Sequence, residues 1–235
     1  MPTLRHATVE RQRLLAPHVH EMTLVVQGEP LRFRPGQWLS LSLPVGEHPP
    51  LSRAYSLAEP DHGDGRLQLC FERAPSGLAS RYLAELKPGE EIAFAGPHGE
   101  FVLPEPLDHD LLFVARFTGI VPIRCMIRAW QAHPSDCNVT LVFGATRPDL
   151  LLYHAEFEKL ARDTTQFRYL PTLLTEHPGW PGSTGNEMTL VHRLLRENTA
   201  LVPYVCGLRD MVNEVRAVLT EFGFPRREVK SEVYG

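Results

Sequence analysis

The apolar pattern of this 235-residue chain changes period once, near residue 104, and that change limits the folds open to it. Upstream, short runs rich in β-branched and aromatic residues, at 19–26, 38–43, 55–58, 67–71 and 92–95, are separated by Pro and Gly. Strands at such spacing predict an antiparallel barrel or sandwich. Arg34-Pro35-Gly36-Gln37 and Lys87-Pro88-Gly89-Glu90 carry turn chemistry, with Pro presetting φ and Gly accepting positive φ. One short helix is expected over 80–86.

Downstream, strands expected at 110–115, 139–143, 167–170, 201–206 and 228–233 alternate with helices at 120–132, 151–162, 188–197 and 210–222. That alternation predicts a parallel sheet with helices on both faces, whose ligands lie beyond the carboxyl ends of the strands. Segments 115–119, 144–147 and 206–209 each follow a strand end, so they should share one rim. Segment 104–110, with two prolines and three acids, is the natural linker between domains at 1–104 and 105–235. The length allows each a sizeable core.

A formal net charge of −4 with 22% charged residues shows no basic excess, which disfavours a nucleic-acid or membrane partner. No apolar run approaches the roughly 20 residues that span a bilayer, and residues 1–10 carry charge without an apolar stretch, so the expected location is cytoplasmic. Cys70, Cys125, Cys137 and Cys206 are scattered, unlike the close spacings of zinc and iron–sulfur sites, so no metal cluster is expected. In a strand, His18-Val19-His20 would put two imidazoles on one face; with no third ligand nearby, solvent-facing residues are the simpler reading.

Two motifs in the first half carry chemistry. Arg53-Ala54-Tyr55-Ser56 offers a forked cation for a phosphate and an aromatic face for a flat ring. Strand alternation places Arg53 and Tyr55 on one face, with Ser56 on the other or turned at the strand end. Alone, these four residues also suit a surface Arg and a core Tyr of any strand. Gly77-Leu78-Ala79-Ser80 opens a helix, whose unpaired N–H groups and partial positive charge make an anion site; Gly77 permits close approach and Ser80 adds a hydroxyl. A plain N-cap is the competing reading.

The order and separation of these motifs, together with Cys206-Gly207 and the penultimate Tyr234, resemble the ferredoxin–NADP reductase superfamily over nearly the whole chain. Those flavoenzymes pass a hydride from a nicotinamide to a flavin and then electrons onward. The resemblance implies an N-terminal antiparallel flavin-binding β-barrel followed by a Rossmann-like, parallel-sheet nucleotide-binding domain, with FAD as cofactor. It implies Tyr55 packed on the flavin, Ser56 bonded near its N5, and Arg53, Ala54 and the Gly77, Leu78, Ala79 and Ser80 segment around the phosphates. Gly96-Pro97-His98-Gly99 and Phe101 would close the barrel. Cys206 and Gly207 open a stretch ending at Met211 that matches the family's C-G-x-x-x-M, which implies a Cys206 that positions the nicotinamide and is no thiolate nucleophile. Glu232-Val233-Tyr234 resembles a terminal E-x-Y, in which Tyr234 covers the flavin until nicotinamide displaces it and Glu232 lies beside the site; a frayed terminal strand is the alternative, and Gly235 is an extra residue.

The family's G-G-T-G-I-A-P loop corresponds to Arg116-Phe117-Thr118-Gly119-Ile120-Val121-Pro122. Thr118 and Gly119 remain to hold a dinucleotide pyrophosphate. Arg116 and Phe117 replace two glycines, and Arg116 either blocks the pyrophosphate or pairs with it. Arg147 is placed to read a 2′-phosphate, whereas Glu176 and Asn186 stand where NADPH-using relatives often carry Arg, which favours NADH. The implied partners are NADH or NADPH and an electron acceptor such as ferredoxin, flavodoxin or an oxygenase component. Two alternatives stay open: a free flavin reductase, and a flavin-holding electron relay or regulatory subunit without nicotinamide binding.

Overall fold

The computed structural model describes residues 4–46, 50–133 and 135–234. They form two compact units, one running through Leu103 and including Arg124–His133, the other holding Pro104–Ile123 and the chain beyond residue 134.

In the first unit β1 (Arg5–Ala16), β2 (Val19–Val26), β3 (Trp38–Leu43), β4 (Leu51–Ser56), β5 (Arg66–Glu72) and β6 (Glu91–His98) form one antiparallel sheet in the order β4-β3-β6-β1-β2-β5, with α1 (Leu78–Glu85) following β5. The two edges meet: Leu57 bridges Leu69, and the Ala58 N–H donates to the Gln68 carbonyl at 2.8 Å, so the sheet closes into a barrel. Alternation is clearest in β3, where Leu39, Leu41 and Leu43 are buried while Trp38, Ser40 and Ser42 are half-exposed, the mark of a sheet covered on one face. The Arg34–Gln37 turn closes with the Gln37 N–H on the Arg34 carbonyl and Gly36 at φ +99°. A Cβ on Gly36 would overlap the Phe101 carbonyl, so both conformation and space require glycine there.

Two expectations are corrected here. The twelve-residue β1 is hidden in the sequence because Arg5, Glu10, Arg11 and Arg13 surround its buried Ala7 and Val9, and a register shift between Val9 and Arg11 breaks the period of two. His18 and His20 do not share a strand face: His18 sits in the turn at φ +62°, and β2 starts only at Val19.

In the second unit β7 (Asp110–Arg116), β8 (Val139–Ala145), β9 (Phe167–Leu173), β10 (Ser183–Thr184), β11 (Leu201–Leu208) and β12 (Lys230–Tyr234) form a parallel sheet in the order β10-β9-β8-β7-β11-β12. Helices α2 (Ile120–Ala132), α3 (His154–Asp163), α4 (Glu187–Glu197) and α5 (Arg209–Glu221) connect them. Residues 111–115 are buried without alternation, as expected of a strand covered on both faces. The helix expected from residue 151 starts at His154, because a 3-10 turn at Pro148–Leu150 and Tyr153 at φ +60° precede it. The last strand starts at Lys230 rather than 228, since the Glu228 N–H closes a turn on the Pro225 carbonyl. The later part of α2 packs with the first unit: buried Arg124 donates to the Ala58 carbonyl at 2.8 Å and to Glu59 at 2.9 Å.

Among the described residues no helix is long and apolar enough to cross a membrane. All four cysteines are buried, and none forms a disulfide among the described residues.

Candidate functional site

Pairing of β3 with β4 sets Leu41 opposite Arg53 and Leu39 opposite Tyr55, so Arg53 and Tyr55 share the face of those buried leucines. Tyr55 packs against the barrel core and meets Phe71 edge-on at 5.9 Å. Burial pushes the Tyr55 hydroxyl up to about 12, against the opposing pull of the Arg53 charge, so the ring is a neutral phenol near neutral pH. Arg53 is exposed and, among the described residues, donates only to the Ser52 carbonyl, at 2.8 Å, leaving most of its fork open. Ala54 is exposed and Ser56 buried at the strand end.

At the start of α1, Gly77 is the N-cap, with no side-chain cap and no acid in the first turn to compete with an anion for the unpaired N–H groups. Leu78 is half-exposed and Ala79 buried. Ser80 differs from expectation: its hydroxyl accepts the Ala74 N–H at 3.0 Å and donates to the Gly77 carbonyl at 3.3 Å, so it shapes the loop. A Cβ on Gly77 would come within 2.7 Å of that hydroxyl, so Gly77 makes room for Ser80.

The ends of β7, β8 and β11 lie side by side. Ala115 pairs with both Phe143 and Cys206, and Arg116 with Gly144. The segment Phe117–Gly119 is a 3-10 turn, Thr118 half-buried and Gly119 buried. A Cβ on Gly119 would overlap the Cys206 carbonyl, so the loop after β7 rests directly on the backbone of β11. Phe117 adopts φ +49°; the backbone keeps a conformation natural to glycine although the side chain has changed. Gly207 is buried, with Met211 and Arg116 as its neighbours.

Cys206 is fully buried and pairs in register with Glu232. Burial, then the Glu232 charge, hold its thiol well above the ordinary range, opposed by a hydrogen bond with the Tyr234 side chain. A protonated thiol there has no nucleophilic role. Tyr234 pairs with Leu208 and is therefore part of the sheet rather than frayed. The Arg147 fork lies on Asp149 through Nε at 2.9 Å and through Nη2, and Glu176 is exposed.

The residue that sequence reasoning missed is Glu187. Arg116 Nε donates to Glu187 Oε1 at 2.9 Å and Nη2 to Oε2 at 2.5 Å, and the Glu187 carboxylate is 0% exposed. This bidentate pair holds the Arg116 pKa up. Glu187 is the first residue of α4, where the helix dipole also favours a carboxylate, and it occupies the space that a Cβ on Gly144 would fill. A signal existed: Arg116 in place of a glycine requires a counter-charge, and Glu187 is the acid opening a helix on the same rim.

Comparison with known proteins follows these two halves. Residues 6–103 match the model of the oxidoreductase FAD-binding domain, and residues 113–217 that of the oxidoreductase NAD-binding domain. The chain is 36% identical over 232 residues to a ferredoxin–NADP reductase B from Sorangium cellulosum, covering 94% of each. It is 26% identical to a reductase component of terephthalate 1,2-dioxygenase from Comamonas, covering 97% of this chain and 67% of that one. A crystal structure of an Amycolatopsis cytochrome P450 reductase superposes with a TM-score of 0.86 at 26% identity, over 99% of this chain and 71% of the other.

Proposed function

This chain belongs to the ferredoxin–NADP reductase superfamily and is an FAD-dependent NAD(P)H oxidoreductase, and on that premise we propose that residues 1–104 hold FAD, residues 105–235 receive NADH in preference to NADPH, and the electrons pass to a carrier protein. The observation that carries this reading is the strand-end rim of the second unit, where the loop after β7 rests on Cys206 and Cys206 is bonded to Tyr234.

The residues of the first unit fit FAD. Arg53 offers an open fork and the α1 N-terminus offers N–H groups free of acidic competition, which suits a pyrophosphate. Tyr55 supplies a neutral ring for a flat cofactor, and Ser56 a hydroxyl at the strand end. FAD, when bound, supplies the change from a two-electron hydride to single electrons. Thr118 lies half-buried at the rim for the nucleotide, Gly119 and Gly207 let the loop after β7 lie close on β11 beside it, Cys206 shapes the nicotinamide position as a neutral thiol, and Glu232 and Tyr234 border it. Asp149 offsets the charge of the exposed Arg147 and holds its Nε and Nη2, which weakens the attraction for a 2′-phosphate and favours NADH; Asp149→Asn should improve use of NADPH.

Relatives named ferredoxin–NADP reductase and dioxygenase reductase component support ferredoxin or an oxygenase component as acceptor, and a cytoplasmic setting suits both. The test is anaerobic addition of NADH or NADPH to the purified protein while flavin absorbance is followed. Bleaching is expected, faster with NADH; no bleaching with either nucleotide rejects the reading. One observation favours a second reading, a flavin-holding relay without nicotinamide binding: Arg116 and Phe117 occupy the glycine positions of the loop.

A further inference from the structure

We propose that Glu187 is a positioning residue for nucleotide binding, fixing Arg116 so that its uncommitted Nη1 donates to the pyrophosphate of the dinucleotide in place of the glycine backbone. The inference rests on the nucleotide-binding reading above and adds to it a residue and a donor.

Three observations carry it. Arg116 ends β7, the strand where the sheet order turns from β8 and β9 to β11, and in open α/β sheets ligands bind outside the strand ends at such a switch point. Two nitrogens of the fork are bound by one fully buried carboxylate, while Nη1 has no hydrogen-bond partner among the described residues and the side chain stays 21% exposed. The guanidinium is therefore rigid and half-used. A side chain held in one orientation before the ligand arrives loses little freedom on binding, so its remaining donors act at full strength. Phe117, at φ +49°, retains the loop path that a glycine would take, so the backbone stays compatible with a ligand while Arg116 supplies the charge.

The other charge near Arg116 is that of Glu214 on α5, which adds to the field of Glu187. Two carboxylates around one guanidinium soften its attraction for an anion. The contribution of Arg116 is then a directed hydrogen bond more than long-range steering, and its loss should change affinity with little change in salt dependence.

The test is calorimetric titration of the flavin-loaded protein with NAD+ and NADP+, neither of which reduces oxidised flavin, so binding is read apart from turnover. Glu187→Gln keeps the size but frees the fork, and Arg116→Lys keeps the charge but loses it. Each should weaken nucleotide binding by about tenfold. The double variant Arg116→Met with Glu187→Val removes both charges without orphaning either and without restoring a glycine, and should bind at least as weakly as the single variants while keeping its flavin absorbance. Equal or tighter binding by the double variant would identify the pair as a plug and overturn the proposal, as would wild-type affinity in both single variants. Absence of binding by the unaltered protein would overturn the proposal together with the reading beneath it, which separates the two failures.

Discussion

Arg53 and Arg116 carry the same charge in strands of the two units, yet they are held in opposite ways. Among the described residues the exposed Arg53 is tied only to the carbonyl of its own neighbour, whereas Arg116 is locked to a carboxylate that water does not reach. An open cation is available to a ligand and contributes little to folding. A closed one is part of the fold, because removing it strands a buried charge. In the proposed reading the same side chain serves binding in one unit and both binding and stability in the other.

The largest expected effect follows from that contrast. Arg116→Ala should lower unfolding free energy by about 3–5 kcal/mol, since Glu187 would lose its counter-charge, while Arg53→Ala should stay within about 0.5 kcal/mol. Urea denaturation of the two variants measures the difference, and similar losses would break the comparison.

Next is Gly119→Ala, whose Cβ would overlap the Cys206 carbonyl. Backbone cannot turn aside, so a loss of about 1–3 kcal/mol is expected. Gly77→Ala in the first unit meets the Ser80 hydroxyl at 2.7 Å and the Ala74 Cβ at 3.1 Å, side-chain atoms on a loop rather than strand backbone, and should cost less. Thermal unfolding of the pair gives the order.

Arg53→Ala should sharpen the open-cation side by loosening FAD roughly tenfold, read from flavin fluorescence on dilution, with the apoprotein as stable as before. Unchanged FAD retention would remove Arg53 from the proposed phosphate contacts.

The smallest effect concerns His20. Burial, then the charges of Arg73 and His18, lower its pKa below the ordinary 6.5, and Gln12 Nε2 lies 2.9 Å from its Nδ1 while also donating to the Ala84 carbonyl. The unfolded chain therefore takes up a proton more readily than the folded one. The contribution is fully present above about pH 6.5 and is lost as pH falls through the lower folded value. Melting temperature measured downward from pH 7.5 should fall less steeply in His20→Gln than in the wild type.

Much of the fold was legible because side-chain period is a local property. The β3 alternation and the unbroken apolar run of β7 each state how many faces of the strand are covered, and the antiparallel and parallel sheets follow. The failures have equally local causes: β1 conceals its period behind charges and a register shift, and Tyr153, with a left-handed backbone, delays α3. The strand positions of Tyr55 and Cys206 were readable from the local pattern. The engagement of Ser80 was not, because it depends on how the loop before α1 folds back.

The sequence by itself determined the two kinds of sheet, the strand ends on which binding loops gather, and the residue types available to a flavin and a nicotinamide, since each depends on spacing along the chain. Only the tertiary structure decided that the barrel closes through Leu57 and Leu69 and that Arg116 is answered by Glu187, 71 residues away. Charge pairing depends on distance in space, and the approach of α4 to the end of β7 is set by packing of the sheet between them, which no local pattern encodes.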